Sequence, residues 1–192
     1  MNYQELMDGL PEFAEQASKL ADRLGFVRAR LQADHIALRI TAAEDADAIK
    51  AELLKRGTLL SEKQINGRPI LLIQLATPIQ VGPWGIDLVE LPYPDGRKRR
   101  DGWEHVELVL PCDAQDEDAM IAAVRRIPAV IAKWPVIKDG SLGIELKTSC
   151  PRGEDEPLPN PTVAFKHQQV TIKLHPHDIR KVLGLSSEAI AS

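Results

Sequence analysis

Two strand-like phrases in this sequence each place a histidine directly after an acidic residue: Ala33-Asp34-His35-Ile36-Ala37-Leu38-Arg39-Ile40 and, later, Trp103-Glu104-His105-Val106-Glu107-Leu108-Val109-Leu110. Alternation along a strand sends successive side chains to opposite faces. His35, Ala37 and Arg39 therefore share one face, with Ile36, Leu38 and Ile40 on the other. In the second phrase His105, Glu107 and Val109 oppose Val106, Leu108 and Leu110. Two related strands, each offering one imidazole from a face that also carries charge, are what a duplicated fold needs to build a single metal site between its halves. The plainer reading of either histidine is a hydrogen-bonded structural residue, and it is the repetition that lends weight to the ligand.

Glu107 lies two residues from His105 on the same face, within reach of acid/base work, of a place behind a metal ligand, or of the ion itself. A second echo joins Asp87-Leu88-Val89-Glu90-Leu91-Pro92 to Thr171-Ile172-Lys173-Leu174-His175-Pro176. Glu90 and Glu107 read as solvated residues if their sheet face is wet. Both lie within apolar strands, however, and an acid confined in a cleft needs a partner. His175 shares a face with Lys173 but stands at a strand end before Pro176, so capping or turn duty competes with ligation. His167, in a polar turn, reads as exposed.

The elements that must position these residues follow from periodicity and punctuation. Pro11 to Leu24 has helical spacing with Gly25 as its stop, so residues 1–25 read as a helical extension packed outside the sheet. After the His35 strand, Thr41-Ala42-Ala43-Glu44 predicts a capping box, and a short helix runs on to Arg56 and Gly57. Strands are predicted at Thr58 to Lys63, Pro69 to Leu75 and Gly85 to Leu91, with a hairpin at Asn66-Gly67. The second half replays the order: the His105 strand, a helix from Asp113 to Arg126, then strands at Gly143 to Thr148, Thr162 to Phe165 and Gln169 to Leu174. Ser149 to Pro161, rich in Pro, Gly and acid, predicts a loop that either covers the site or is held by its own ion pairs. Pro176 to Leu183 predicts a short terminal helix. The fold class is α+β, a single domain of two paired βαβββ modules, about 33–92 and 103–176, forming one cupped mixed sheet with an added N-terminal helix and a short C-terminal helix.

Composition narrows the classes of partner. The 192 residues are 44% hydrophobic and 27% charged, enough for a core without staples. A formal charge of −4 argues against a nucleic-acid surface. The one basic run, Arg97-Lys98-Arg99-Arg100, reads as a solvated connector. Two cysteines, Cys112 and Cys150, make neither a disulfide framework nor a metal motif. The acidic N-terminus lacks the features of a signal peptide, and no segment has the apolar length of a membrane span. A reduced cytoplasm is the expected compartment.

The phrases Ala33 to Arg39, Leu60-Ser61-Glu62 with Ile65 to Ile70, Val89 to Pro92, Gly102 to Pro111, Lys147 to Pro161 and Thr171 to Pro176 resemble the YecM-like family of small bacterial proteins. The resemblance runs in register from about Asp22 to Leu183. It implies a fold similar to the vicinal oxygen chelate superfamily of glyoxalase, methylmalonyl-CoA epimerase and extradiol dioxygenases, in which paired βαβββ modules hold a divalent metal. YecM-like proteins are regarded as metal-binding proteins with no assigned reaction. Carried over residue by residue, the superfamily pattern implies His35, His105 and Glu90 as ligands of an ion such as Zn, Ni, Mn or Fe. A glutamate is expected on the last strand of the second module, where this chain has Lys173. Two imidazoles and one carboxylate leave coordination positions open for a substrate.

Within that pattern Glu107 is the candidate catalytic group, and Lys173 and Arg39 are candidate substrate-binding cations, Lys173 having Glu107 as an alternative partner. Three classes of function follow: a metal-dependent isomerase, lyase or dioxygenase acting on a small oxygen-bearing molecule; a noncatalytic module holding a small ligand in the same cup; and an interaction protein with vestigial histidines.

Overall fold

Apolar residues of the strands sort to one face, and that face is where the N-terminal helix lies. The computed structural model describes residues 1–65, 67–150 and 158–185. In chain order it has α1 (Tyr3–Asp8), α2 (Leu10–Leu24), β1 (Gln32–Arg39), α3 (Ala43–Leu54), β2 (Gly57–Ile65), β3 (Arg68–Val81), β4 (Trp84–Pro92), β5 (Gly102–Val109), α4 (Glu117–Val124), α5 (Pro128–Lys138), β6 (Glu145–Ser149), β7 (Thr162–His167), β8 (Val170–His175) and α6 (Ile179–Val182). Ile36 and Leu38 of β1, Val106 and Leu108 of β5, and Ile172 and Leu174 of β8 are fully buried in one core. Phe13, Ala17, Leu20, Ala21 and Leu24 of α2 belong to the same core, and α2 lies against β3, β5 and β8. The opposite face of the central strands is left for polar chemistry.

The eight strands form one open mixed sheet in the order β2-β3-β4-β1-β5-β8-β7-β6. β1 pairs parallel with β4, β5 pairs parallel with β8, and β1 and β5 meet antiparallel at the centre. A parallel pair cannot be closed by a hairpin, so each of these pairs needs the crossover that its intervening helices and strands provide. The mixed sheet and the N- and C-terminal helices are those expected from the sequence. Among the described residues, no helix is long and apolar enough to cross a membrane.

Several local expectations are corrected. An additional helix, α1, precedes α2, capped by Asn2, whose side chain accepts from the Glu5 amide while the Glu5 carboxylate accepts from the Asn2 amide. Two buried indoles tie this N-terminal region to the sheet: Trp103 Nε1 donates to Leu6 O and Trp84 Nε1 donates to Leu31 O, each at 2.9 Å. The capping box at Thr41 does not form; α3 starts one residue later, with Ala42 as its N-cap and no side-chain bond to the first turn. The segment after β5 holds two helices rather than one, because Pro128 ends α4 yet suits the first turn of α5. β3 runs on to Val81 through an irregularity between Gln74 and Ile79. His167 is half-buried at the end of β7 rather than in an exposed turn. The basic run 97–100 is exposed, with Arg99 donating to Asp95 at 3.0 Å. Of the expected turn and loop, Asn66 and residues 151–157 lie outside the described residues.

Two glycines separate backbone strain from collision. Gly25 and Gly67 share a left-handed φ, 78° and 77°. A Cβ on Gly25 would sit 2.3 Å from Cβ of Ala129, whereas at Gly67 it would meet nothing within 4 Å. Gly67→Ala is expected to lose only the left-handed penalty of about 1–2 kcal/mol. Gly25→Ala should lose that plus about 1–3 kcal/mol of overpacking. Urea unfolding of the two variants beside the parent checks this; equal losses would mean that the α2–α5 contact yields freely.

Candidate metal centre on the polar face

Register across the four central strands decides which side chains meet. His35 lies opposite Glu107, and Glu107 opposite Lys173, so β1, β5 and β8 contribute one row of three polar groups. In the next row Ala37 lies between Glu90 on β4 and His105 on β5. Ala37 ends at Cβ, which leaves room above it for side chains from both sides to lean inward.

β1 also carries a break in its pairing. The register with β5 shifts between Ala33 and His35, which leaves Asp34 without a partner across the ladder. A bulge residue escapes the strict alternation of its strand, and the Asp34 carboxylate reaches the neighbouring imidazole, Oδ1 standing 2.8 Å from His35 Nδ1. Its other oxygen accepts the Ile179 amide at 2.8 Å and lies 3.2 Å from His175 Nε2. His175 Nδ1 lies 3.2 Å from Asn160 Oδ1. Asp34, His35, His175 and Asn160 are all buried.

On the far side of His35, Nε2 is buried and has no hydrogen-bond partner. It stands 3.5 Å from Glu107 Oε1 and 3.8 Å from Glu90 Oε2. His105 Nε2 is 3.1 Å from the same Glu107 oxygen. Lys173 Nζ donates to Glu107 Oε1 at 2.8 Å and lies 2.9 Å from His105 Nε2. Glu107 thus receives two imidazoles and an ammonium around one oxygen.

These contacts set the charges. Burial alone would raise the Glu107 pKa, but Lys173 and His35 outweigh it and hold the carboxyl well below its ordinary value. Burial would lower His35, yet Glu107 and Asp34 hold it well above the usual imidazole value. Asp34 is likewise pulled below the ordinary carboxylate range, with His175 and His35 overcoming its burial. His105 goes the other way: burial, then the Lys173 ammonium, push it down to about 4. The two echoed histidines are therefore shifted in opposite directions.

The donor set fits a divalent ion. Ligand atoms of His35, His105 and Glu107 all lie within 4.8 Å of one another, as do those of Asp34, His35 and His175. Donors bound at about 2.0–2.2 Å to one ion stand roughly 3–3.5 Å apart, which the 3.1 and 3.5 Å separations about Glu107 Oε1 match. His35 Nδ1 is engaged by a carboxylate while Nε2 is orphaned and buried, the polarity of a metal-ligating histidine steadied from behind.

Of the residues expected from the sequence, His35, His105, Glu107 and Lys173 come together. Glu90 is close to His35 but more open, its side chain 21% exposed. Arg39 is committed elsewhere: it is ion-paired with Glu104, at the edge of a cavity of about 380 Å³ that Phe13, Gln16 and Thr171 also line. Asp34 is not among the site residues expected from the sequence and Asn160 gives no signal there, while His175, left open between capping and ligation, lies against Asp34. The acid beside each histidine was visible, but alternation sent Asp34 to the other face. The register of β8, with His175 two residues beyond Lys173, was the available sign for His175.

Comparison with known proteins places the chain. The family model for "YecM protein" matches residues 2–186. Protein YecM of Escherichia coli (strain K12) is 40% identical over 191 residues, covering 97% of this chain and 95% of that one. An uncharacterized protein of Haemophilus influenzae is 30% identical over 191 residues, covering 96% and 95%. A solved structure described as Structural Genomics, Protein EC4020 superposes with a TM-score of 0.73 at 37% identity, covering 94% of this chain and 91% of that chain. With the match spanning nearly the full length in sequence and in structure, the chain belongs to the YecM family.

Proposed function

We propose that the polar face binds one divalent metal ion through His35 Nε2, His105 Nε2 and the Glu107 carboxylate, with Glu90 at the open side, and that the assembly acts on a small oxygen-bearing molecule. The observation that carries this reading is His35: Nδ1 is engaged by Asp34, and Nε2 is buried, unpartnered and aimed at two carboxylates and a second imidazole. A bound ion would supply a Lewis acid with open coordination positions for neighbouring oxygens of a substrate.

The chain's own groups do the rest. Asp34 accepts from Nδ1–H and fixes the ring, and an ion at Nε2 would take the place of the second proton that Glu107 and Asp34 favour there. The depressed basicity of His105 leaves its imidazole neutral and ready to ligate. Glu107, expected from the sequence as the proton carrier, is better suited to hold the ion, because one oxygen already faces both imidazoles. Glu90, on the open side, is then the carboxylate placed to take a proton from a bound molecule. A metal-dependent isomerase, lyase or dioxygenase fits these roles.

A second reading is favoured by Lys173. Its ammonium stands beside His105 Nε2 and Glu107 Oε1, so the site is neutralised without an ion and can serve as a noncatalytic cup for a small ligand.

Calorimetric titration of Zn(II), Ni(II) and Mn(II) into metal-stripped protein separates the two. On the metal reading the parent binds one ion per chain and His35→Ala or His105→Ala abolishes binding. Glu107→Gln should weaken the ion at least as much as Glu90→Gln does. Equal binding by parent and His105→Ala, or by none of the proteins, would leave the ligand-binding module as the account. Asp34→Asn keeps an acceptor at Nδ1 but removes its charge and turns a donor toward the Ile179 amide, and should weaken the ion by about 10–100-fold in protein whose circular dichroism matches the parent; an unchanged affinity would remove Asp34 from the site.

A further inference from the structure

Lys173 is where the superfamily resemblance leads one to expect a glutamate, and the structure gives this exchange a definite form. The ammonium does not point away from the donors. It lies 2.8 Å from Glu107 Oε1 and 2.9 Å from His105 Nε2, two donor atoms of the candidate centre. A divalent ion held by those same two atoms would need the space and the charge balance that Lys173 now supplies. The ion and this ammonium cannot both be seated there.

The two partners of the ion pair differ in freedom. The Glu107 side chain is 7% exposed and Lys173 is 28% exposed. Glu107 is fixed from three sides, by His35, His105 and Lys173. Lys173 reaches in from β8 on a flexible stem, and the open side of the site is the way out for its head group. When it leaves, the ammonium is set near a doubly charged ion and has lost its carboxylate. Among the described acids around the site, Glu104 is taken by Arg39, Asp34 is buried behind His35, and Glu90 faces His35. With Glu90 kept for a proton of the bound molecule, an anionic ligand would restore the counter-charge that Lys173 loses.

We infer that Lys173 is an internal competitor for the metal ion, and that the molecule the loaded site accepts is an anionic chelator, one that gives oxygens to the ion and a carboxylate to the displaced Lys173. This deepens the metal reading and rests on it. The ion and the anion then favour one another: the ion drives Lys173 out, and the anion gives it a partner. An apolar or cationic ligand would gain nothing from the exchange. Lys173 acts as the residue that sets ligand charge, and in its resting position as the cap on two donors.

The test uses the full-length chain, Ni(II) as the ion and oxalate as the anion. Ni(II) is titrated into metal-stripped parent and into Lys173→Met, which removes the ammonium and keeps most of the length of the side chain. The variant is expected to bind Ni(II) more tightly than the parent by about tenfold or more, within the usual range of coupling between sites. Oxalate is then titrated into the two Ni(II)-loaded proteins at concentrations that leave the ion bound, and the order reverses, the parent binding oxalate more tightly by a similar factor. Acetylation of lysines by acetic anhydride, read by peptide mass, supplies a signal independent of affinity. Ni(II) should speed modification of Lys173 relative to Lys19, whose side chain is 72% exposed, and oxalate should slow it again. Equal Ni(II) affinity in parent and variant with no change in Lys173 labelling overturns the competitor role while leaving the metal centre in place. Equal oxalate affinity in the two loaded proteins overturns the choice of an anion. Failure of both proteins, and of His105→Ala, to bind any ion brings down the metal reading and this inference with it.

Discussion

A carboxylate taken out of water must be given back its stabilisation by neighbours, and the structure of this protein turns on one such group. Glu107 is only 5% exposed and its carboxyl is held well below its ordinary pKa, and what surrounds it comes from three strands: His35 on β1, His105 beside it on β5 and, on β8, Lys173, whose ammonium donates to it. Removing one partner of a buried charge pair typically costs about 3–5 kcal/mol, because the other is left uncompensated. The central strands must therefore keep their register to within a residue. A one-residue slip of β5 against β1 would carry Glu107 to the apolar face, among Ile36, Val106 and Leu108. Apolar packing under α2 and polar pairing on the other face enforce the same alignment from opposite sides.

The two echoed phrases have diverged in a way that the residue types alone do not reveal. Asp34 and Glu104 stand before equivalent histidines, yet Asp34 is bulged into contact with its histidine at 2.8 Å, whereas Glu104 is paired with Arg39 and lies 3.5 Å from His105 Nδ1. Lys173 then adds a positive charge beside His105 and none as close to His35. One imidazole is shifted toward holding a proton and the other toward losing it. Similar strands have produced two differently poised histidines in a single pocket.

What could be read in advance was whatever alternation carries. The strands bearing His35, His105, Glu90 and Lys173 are present with the facing that a period of two assigns, and α2 ends where Gly25 permits a left-handed turn. What could not be read depends on departures from period. Asp34 joins the site only because the ladder skips it, and nothing local in the sequence marks a bulge there. Asn160 meets His175 across 15 residues of chain, a contact made by the return of β7 beside β8. α5 was not expected from the sequence; it carries two prolines, residues that usually end helices, of which Pro128 opens it and Pro135 lies within it. Arg39 shares the face of His35 by count, but the second irregularity of β1, between Ala37 and Leu38, comes before it, and Glu104 claims it.

Among the described residues, the antiparallel meeting of β1 and β5 is the only seam of the sheet that joins the first four strands to the last four. His35 and Glu90 come from one side of it, and His105, Glu107 and Lys173 from the other. Nothing in that pairing asks whether the two sides belong to the same molecule. The connection 93–101, between the end of β4 and the start of β5, alone decides it. Two chains that exchanged their second sets of strands would rebuild the same sheet order and the same donors twice, each pocket drawn from both chains. Such domain swapping needs only an opened hinge, so the length and stiffness of this exposed, basic connection govern whether the pocket is a property of one chain or of two.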